Sequence, residues 1–169
     1  MTFVVAFDGS ELAEAALVRA VEFNKVLGDR VVAVTIIPDG NRSYARERGW
    51  LDAGEPFDRE DILAGVHEQV SRLAPAADFV HRTVDEHATA GTIASRLRTL
   101  ALDEEATLVF VGSENAGRLA TTLSSVGSTV AAGDAYDVVI VRHPRPSAVE
   151  AVRDRSPFRR EKSEFFLTE

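Results

Sequence analysis

Hydrophobic and polar positions along this 169-residue chain alternate between two rhythms. Thr2 to Phe7 is a near-continuous apolar run, as a strand covered on both faces requires. Asp8, Gly9 and Ser10 break it. Leu12, Ala16, Ala20, Phe23 and Leu27 then recur at spacings of four and three, which predicts one apolar helical stripe ending at Gly28. Arg30 to Ile37 is the second predicted strand, stopped by Pro38, Asp39 and Gly40. From Asn41 to Asp58 there is little period, over a length that exceeds most connections in a compact domain, so the segment is expected to be a lid or disordered. A second amphipathic helix carries Ile62, Val66, Val70 and Leu73 on one side, with Pro75 near its end. Phe79 to Val84 is the third strand. The third helix runs from about Thr92, with Ile93, Leu97, Leu100 and Ala101 facing in and Thr89 or Thr92 as its cap. Thr107 to Val111 is the fourth strand, a helix follows from near Arg118 or near Gly127, and Val138 to Val141 is the fifth strand.

Short β-rich runs alternating with helical segments imply an α/β fold, a parallel sheet with helices on both faces. The length fits one domain, and an apolar share of 45% suffices for a two-sided core. That domain is expected to span residues 1–143. Beyond His143 the composition shifts to Pro144, Pro146, Pro157 and many charges, so residues 144–169 are expected to form a tail, disordered or docked by its last few residues.

Charge and composition narrow the function. Acids outnumber bases 27 to 19, and the net charge of −8 opposes a nucleic-acid partner. No run of apolar residues is long enough to cross a bilayer, and Met1 leads directly into a strand without a basic region or cleavage site. The expectation is a cytoplasmic protein with no membrane partner. The chain has no cysteine, which removes disulfides, thiol nucleophiles and thiolate metal sites.

In an open parallel sheet, ligands bind beyond the carboxyl ends of the strands, where neighbouring crossovers leave to opposite faces. This chain places Asp8, Gly9, Ser10 and Glu11 after the first strand, and Gly112, Ser113, Gly117, Gly127, Ser128 and Thr129 after the fourth. Glycines let backbone amides approach phosphate oxygens, and a helix start adds unpaired N–H groups. Asp8 suits a ribose hydroxyl or a magnesium ion bridging to phosphates. Taken alone, Asp-Gly-Ser after a strand is more often a tight turn with Ser10 as a helix cap.

Val4-Val5-Ala6-Phe7-Asp8-Gly9-Ser10-Glu11 resembles the opening of universal stress proteins, and Phe110-Val111-Gly112-Ser113 resembles their fourth strand and its turn. The likeness covers residues 1 to about 143. It implies a doubly wound five-stranded parallel sheet in the order 3-2-1-4-5, with the turns of Asp8 and Gly112 side by side. In nucleotide-binding members the fourth strand leads into Gly-x2-Gly-x9-Gly-Ser or Gly-Thr. This chain reads Gly112-x4-Gly117-x9-Gly127-Ser128, matching the second spacing and lengthening the first by two residues. Glu114, Asn115 and Ala116 stand in the lengthened turn, where Glu114 would repel a triphosphate if it pointed inward. Carried over position by position, the resemblance gives Asp8 to ribose and phosphate or metal, and Ile36 or Ile37 with Val111 to the adenine. Gly112, Gly117, Gly127, Ser128 and Thr129 would line the phosphates. The implied cofactor is ATP or a related adenine nucleotide, with or without Mg2+. Family dimers commonly pair through the last strand, here Val138 to Val141, whose apolar edge needs covering.

Other chemistry finds little support in the residue list. His67, His81, His87 and His143 have none of the close spacings of a metal helix or finger and are expected to be solvated or capping. Ser10, Ser113, Ser124, Ser125 and Ser128 have no adjacent His or Lys and sit in no Gly-x-Ser-x-Gly elbow. Arg42, Arg46 and Arg48 in the long loop can neutralise phosphates if it closes over a nucleotide. Three functions remain open: a nucleotide-binding regulatory module acting as a dimer in stress response, an interaction module of the same family that binds no nucleotide, and a receiver-like phosphoacceptor domain resting on Asp85. ATP turnover is expected to be slow and incidental, and the chain not to be an enzyme.

Overall fold

The computed structural model describes residues 1–113 and 135–144. Strands β1 (Thr2–Ala6), β2 (Arg30–Pro38), β3 (Asp78–Val84), β4 (Ala106–Gly112) and β5 (Asp137–Val141) form one sheet in the order β3-β2-β1-β4-β5. Every neighbouring pair is parallel, with Val4 of β1 level with Val32 on one side and Val109 on the other. The helices among the described residues are α1 (Glu11–Leu27), α2 (Arg42–Glu47), α3 (Arg59–Leu73) and α4 (Ala90–Asp103).

The expected fold class and strand order are both present, and the topology has a physical cause. A β-α-β crossover is right-handed, so the two steps from β1 to β2 and from β2 to β3 put α1 and α3 on one face. The step back from β3 to β4 puts α4 on the other. Alternation along the strands splits the core accordingly. Phe3, Val5, Phe7, Ala33, Ile37 and Phe110 pack under α1 and α3, while Val4, Val32, Val34, Ile36 and Val109 pack under α4. Between β1 and β4 the crossovers leave in opposite directions, so the switch point lies at the ends of these strands.

Each longer helix is opened by a side-chain cap. Ser10 Oγ accepts from the Ala13 amide at 3.2 Å, with Glu11 and Glu14 near the positive end of α1. Asp58 accepts from the amides of Glu60 and Asp61 at the start of α3, and Thr89 accepts from Thr92 N at the start of α4. The cap is therefore Thr89, and α4 begins two residues before the predicted start at Thr92. Gly28, at φ 70°, closes α1 in the left-handed conformation that glycine tolerates.

Several other expectations need correction. Pro38 does not stop β2 but occupies its last position beside Val84, where the missing N–H falls at the strand end. The predicted stripe of α1 is buried only over Leu12, Ala16 and Ala20; Phe23 and Leu27 are about half exposed, at 50% and 49%. Phe23 leans on the Phe110 ring at 5.8 Å, and no helix among the described residues covers its outer side. His67 and His81 are exposed, as expected, and His67 also stacks on Phe79 at 5.0 Å, with Phe79 in turn facing His81. The Asn41–Asp58 segment is not disordered: Asn41 caps α2, and Ala45 and Leu51 are buried. The helix expected near Arg118 or Gly127, and residues 145–169 of the expected tail, lie outside the described residues.

Candidate functional site at the switch point

Asp8 ends the first strand's run with only 8% of its surface exposed. Its Oδ1 accepts from the Ser10 amide at 3.0 Å, which closes the turn, and its Oδ2 faces Arg48 Nε at 3.6 Å. The carbonyl oxygens of the turn are also engaged. Trp50 Nε1 donates to the Asp8 carbonyl at 2.8 Å, and Gln69 Nε2 donates to the Gly9 carbonyl at 3.2 Å and to Glu14 Oε1 at 2.6 Å. Gly9 has φ +80°, and a Cβ there would stand 3.0 Å from Gln69 Oε1 and 3.2 Å from Trp50 Nε1. Glycine is needed at this position for conformation and for room.

The long connection from β2 to α3 supplies the cover of this turn. Arg48 lies with its guanidinium carbon 3.5 Å from the Tyr44 ring centroid, and Tyr44 packs against Trp50 at 5.6 Å. Four contacts thus close a loop: Asp8 backbone to Trp50, Trp50 to Tyr44, Tyr44 to Arg48, and Arg48 back to the Asp8 carboxylate. Burial pushes the Tyr44 phenol up to about 12, against the opposing pull of the Arg48 charge. The segment is tied down at its other end by Asn41 Nδ2, which donates to the Glu86 carbonyl, and by the Arg59–Asp39 ion pair. Sequence reasoning named Arg48 as a candidate but missed Tyr44 and Trp50. An aromatic pair flanking an arginine within a polar loop was the available signal.

On the α4 side, the carboxyl ends of three adjacent strands present Ala6, Ile36 and Val111, all of which pack with the core of that side. Ile37 points the opposite way and is fully buried under α1 and α3. The structure therefore brings Asp8, Ile36 and Val111 to one end of the sheet and separates Ile37 from them.

Gly112 sits next to α1. A Cβ there would lie 2.8 Å from Leu12 Cβ and 2.9 Å from the Leu12 carbonyl carbon. Its lack of a side chain lets the first turn of α1 cross the end of β4, a role separate from phosphate contact. Ser113 N donates to the Val141 carbonyl at 2.6 Å and continues the ladder with β5. Gly117, Gly127, Ser128 and Thr129, with Glu114 to Ala116, lie outside the described residues.

Asp85 is on the turn after β3, where its Oδ1 accepts from the His87 amide at 2.9 Å. Among the described residues no three His, Cys, Asp or Glu side chains are grouped to hold a metal ion, and no helix is long and apolar enough to cross a membrane.

The model of the universal stress protein family matches residues 1–142. Among solved structures, a universal stress protein in complex with cAMP is 25% identical, with a TM-score of 0.53, covering 86% of this chain and 98% of its own. A universal stress protein from Archaeoglobus fulgidus is 20% identical, with a TM-score of 0.55 and coverage of 84% and 93%. Another from Archaeoglobus fulgidus, in complex with dAMP, is 16% identical, with a TM-score of 0.52 and coverage of 83% and 95%. No curated protein sequence matches the chain. Family membership supersedes the receiver-like reading of Asp85, and with 142 of its 169 residues matched the chain belongs to the universal stress protein family.

Proposed function

We propose that the chain is an adenine-nucleotide-binding regulatory module of the cytoplasm, acting as a homodimer in stress response and not as an enzyme. The observation that carries this reading is the juxtaposition of the nearly buried Asp8 carboxylate with Ala6, Ile36 and Val111 at the switch point. A flat purine suits such an apolar floor, and a carboxylate beside it is a natural acceptor for ribose hydroxyls. The relative in complex with cAMP, 25% identical, supports an adenine ring as the ligand class. ATP is the fullest version of this ligand, and Gly117, Gly127, Ser128 and Thr129 are the proposed phosphate contacts. Occupancy would act by favouring one of two states of the dimer or its partners.

The edges of the sheet support pairing through β5. β3, at one edge, carries Asp78 and Arg82 exposed, charges that discourage strand addition. β5, at the other, runs Val138-Val139-Ile140-Val141, with Ile140 43% exposed. A second copy adding along β5 would cover it.

One observation favours the nucleotide-free interaction module instead: Arg48 already faces the carboxylate that ribose would use. Fluorescence polarisation of a dye-labelled ATP separates the two readings. Wild type is expected to bind saturably, and Val111→Glu, placing a charge on the half-buried floor, to lose binding while keeping its circular dichroism. Equal binding by a folded Val111→Glu would refute the placement of the purine, and no binding by folded wild type would favour the interaction module.

A further inference from the structure

The turn after β1 offers its oxygens to nitrogen donors already in the protein. Asp8 Oδ1 faces Ser10 N, Asp8 Oδ2 faces Arg48 Nε, the Asp8 carbonyl faces Trp50 Nε1 and the Gly9 carbonyl faces Gln69 Nε2. Magnesium demands near-octahedral oxygen coordination at about 2.1 Å and gives up its waters reluctantly. To reach Asp8 Oδ2 it must displace a guanidinium that is stacked on Tyr44 and has only 19% of its side chain exposed. The donor set does not fit a divalent cation.

It does fit a permanent one. An arginine stays charged at any physiological pH, and its planar fork suits phosphate better than a point charge does. Tyr44 holds one face of the guanidinium, and Trp50 braces Tyr44, so the position of the charge is fixed before any ligand arrives. We infer that Arg48 takes the place of the divalent cation at Asp8, so that this chain binds its adenylate without metal, with Arg48 as the residue that senses the phosphate. The inference rests on the nucleotide reading above and departs from a magnesium bridge at Asp8. With the Asp8 carboxylate beside it, Arg48 offers no surplus charge to a polyanion, so the site matches a monophosphate, linear or cyclic, better than a triphosphate that travels with magnesium.

The test is calorimetric titration with adenosine monophosphate, which holds magnesium weakly, in EDTA and again in excess Mg2+. Wild type is expected to bind equally in both. Arg48→Gln is expected to lose about tenfold or more in EDTA, the scale of one charge-assisted hydrogen bond, and to regain part of it with Mg2+. Arg48→Lys keeps the charge without the planar fork and is expected to fall between them while remaining indifferent to metal. Far-ultraviolet circular dichroism confirms that each variant is folded. Wild-type binding that requires Mg2+, or Arg48→Gln binding as tightly as wild type in EDTA, overturns the inference and leaves the nucleotide reading intact. Saturation by no form in either buffer refutes the nucleotide reading itself, and the inference falls with it.

Discussion

Gly112, the last residue of β4, and Leu12, in the first turn of α1, approach so closely that a Cβ on the glycine would stand 2.8 Å from the leucine Cβ. Two of the other near atoms are backbone, the carbonyl carbon of Leu12 and the amide nitrogen of Ala13, so no side-chain rotation relieves the clash. The switch point is therefore closed by packing as well as by hydrogen bonds.

Gly112→Ala is expected to destabilise the fold by about 1–3 kcal/mol, the cost of overpacking a well-filled site. Urea denaturation is the measurement. The midpoint should fall with the slope unchanged, since the surface exposed on unfolding is the same. An unaltered midpoint would mean that the helix and strand are not held this close.

Gly9→Ala meets a second kind of cost, because φ is +80° and Trp50 and Gln69 lie within 3.2 Å of the added carbon. A loss of about 1–3 kcal/mol is expected from backbone strain. Trp50 is the only tryptophan in the chain, so its emission reads this turn directly. The emission of folded Gly9→Ala should move to longer wavelength as the indole loses its place on the Asp8 carbonyl.

The Tyr44 phenol, pushed up to about 12 by burial, predicts a definite alkaline behaviour. In the unfolded chain the phenol ionises near the usual 10, so between about 10 and 12 the unfolded state binds fewer protons than the folded state. Stability should fall as pH rises through this window, by about 3 kcal/mol over its width. Tyr44→Phe keeps a ring under Arg48 and should flatten that part of the slope in urea titrations at successive pH values. An unchanged slope would show that Tyr44 is solvated in the folded protein.

Much of the fold was legible because its signals are local. The apolar run of Thr2 to Phe7 and the spacing of Ile62, Val66 and Val70 each report a periodicity that burial on one or two faces demands. The strand order came from the resemblance, since nothing in one strand's sequence names its neighbour. The covering segment was illegible for a related reason. Arg48, Tyr44 and Trp50 have no period, and their arrangement depends on Asp8, some forty residues away in the sequence. Gly112 was legible as a special residue, yet its contact with Leu12 across about 100 positions was not. Which of Ile36 and Ile37 shares the α4 face with Val111 follows from the alternation of β2, but only once the face that α4 covers is known.

The end of the sheet around Asp8 is the proposed seat of an adenine nucleotide. Calorimetric titration of ATP and of adenosine monophosphate into wild type and into Asp8→Asn tests it most directly, because asparagine can still accept the Ser10 amide and so preserve the turn. Saturable binding that Asp8→Asn weakens by about tenfold is the expected result, on the scale of a hydrogen bond to a charged group. Folded protein that takes up neither nucleotide, or that binds equally well without the carboxylate, would contradict it.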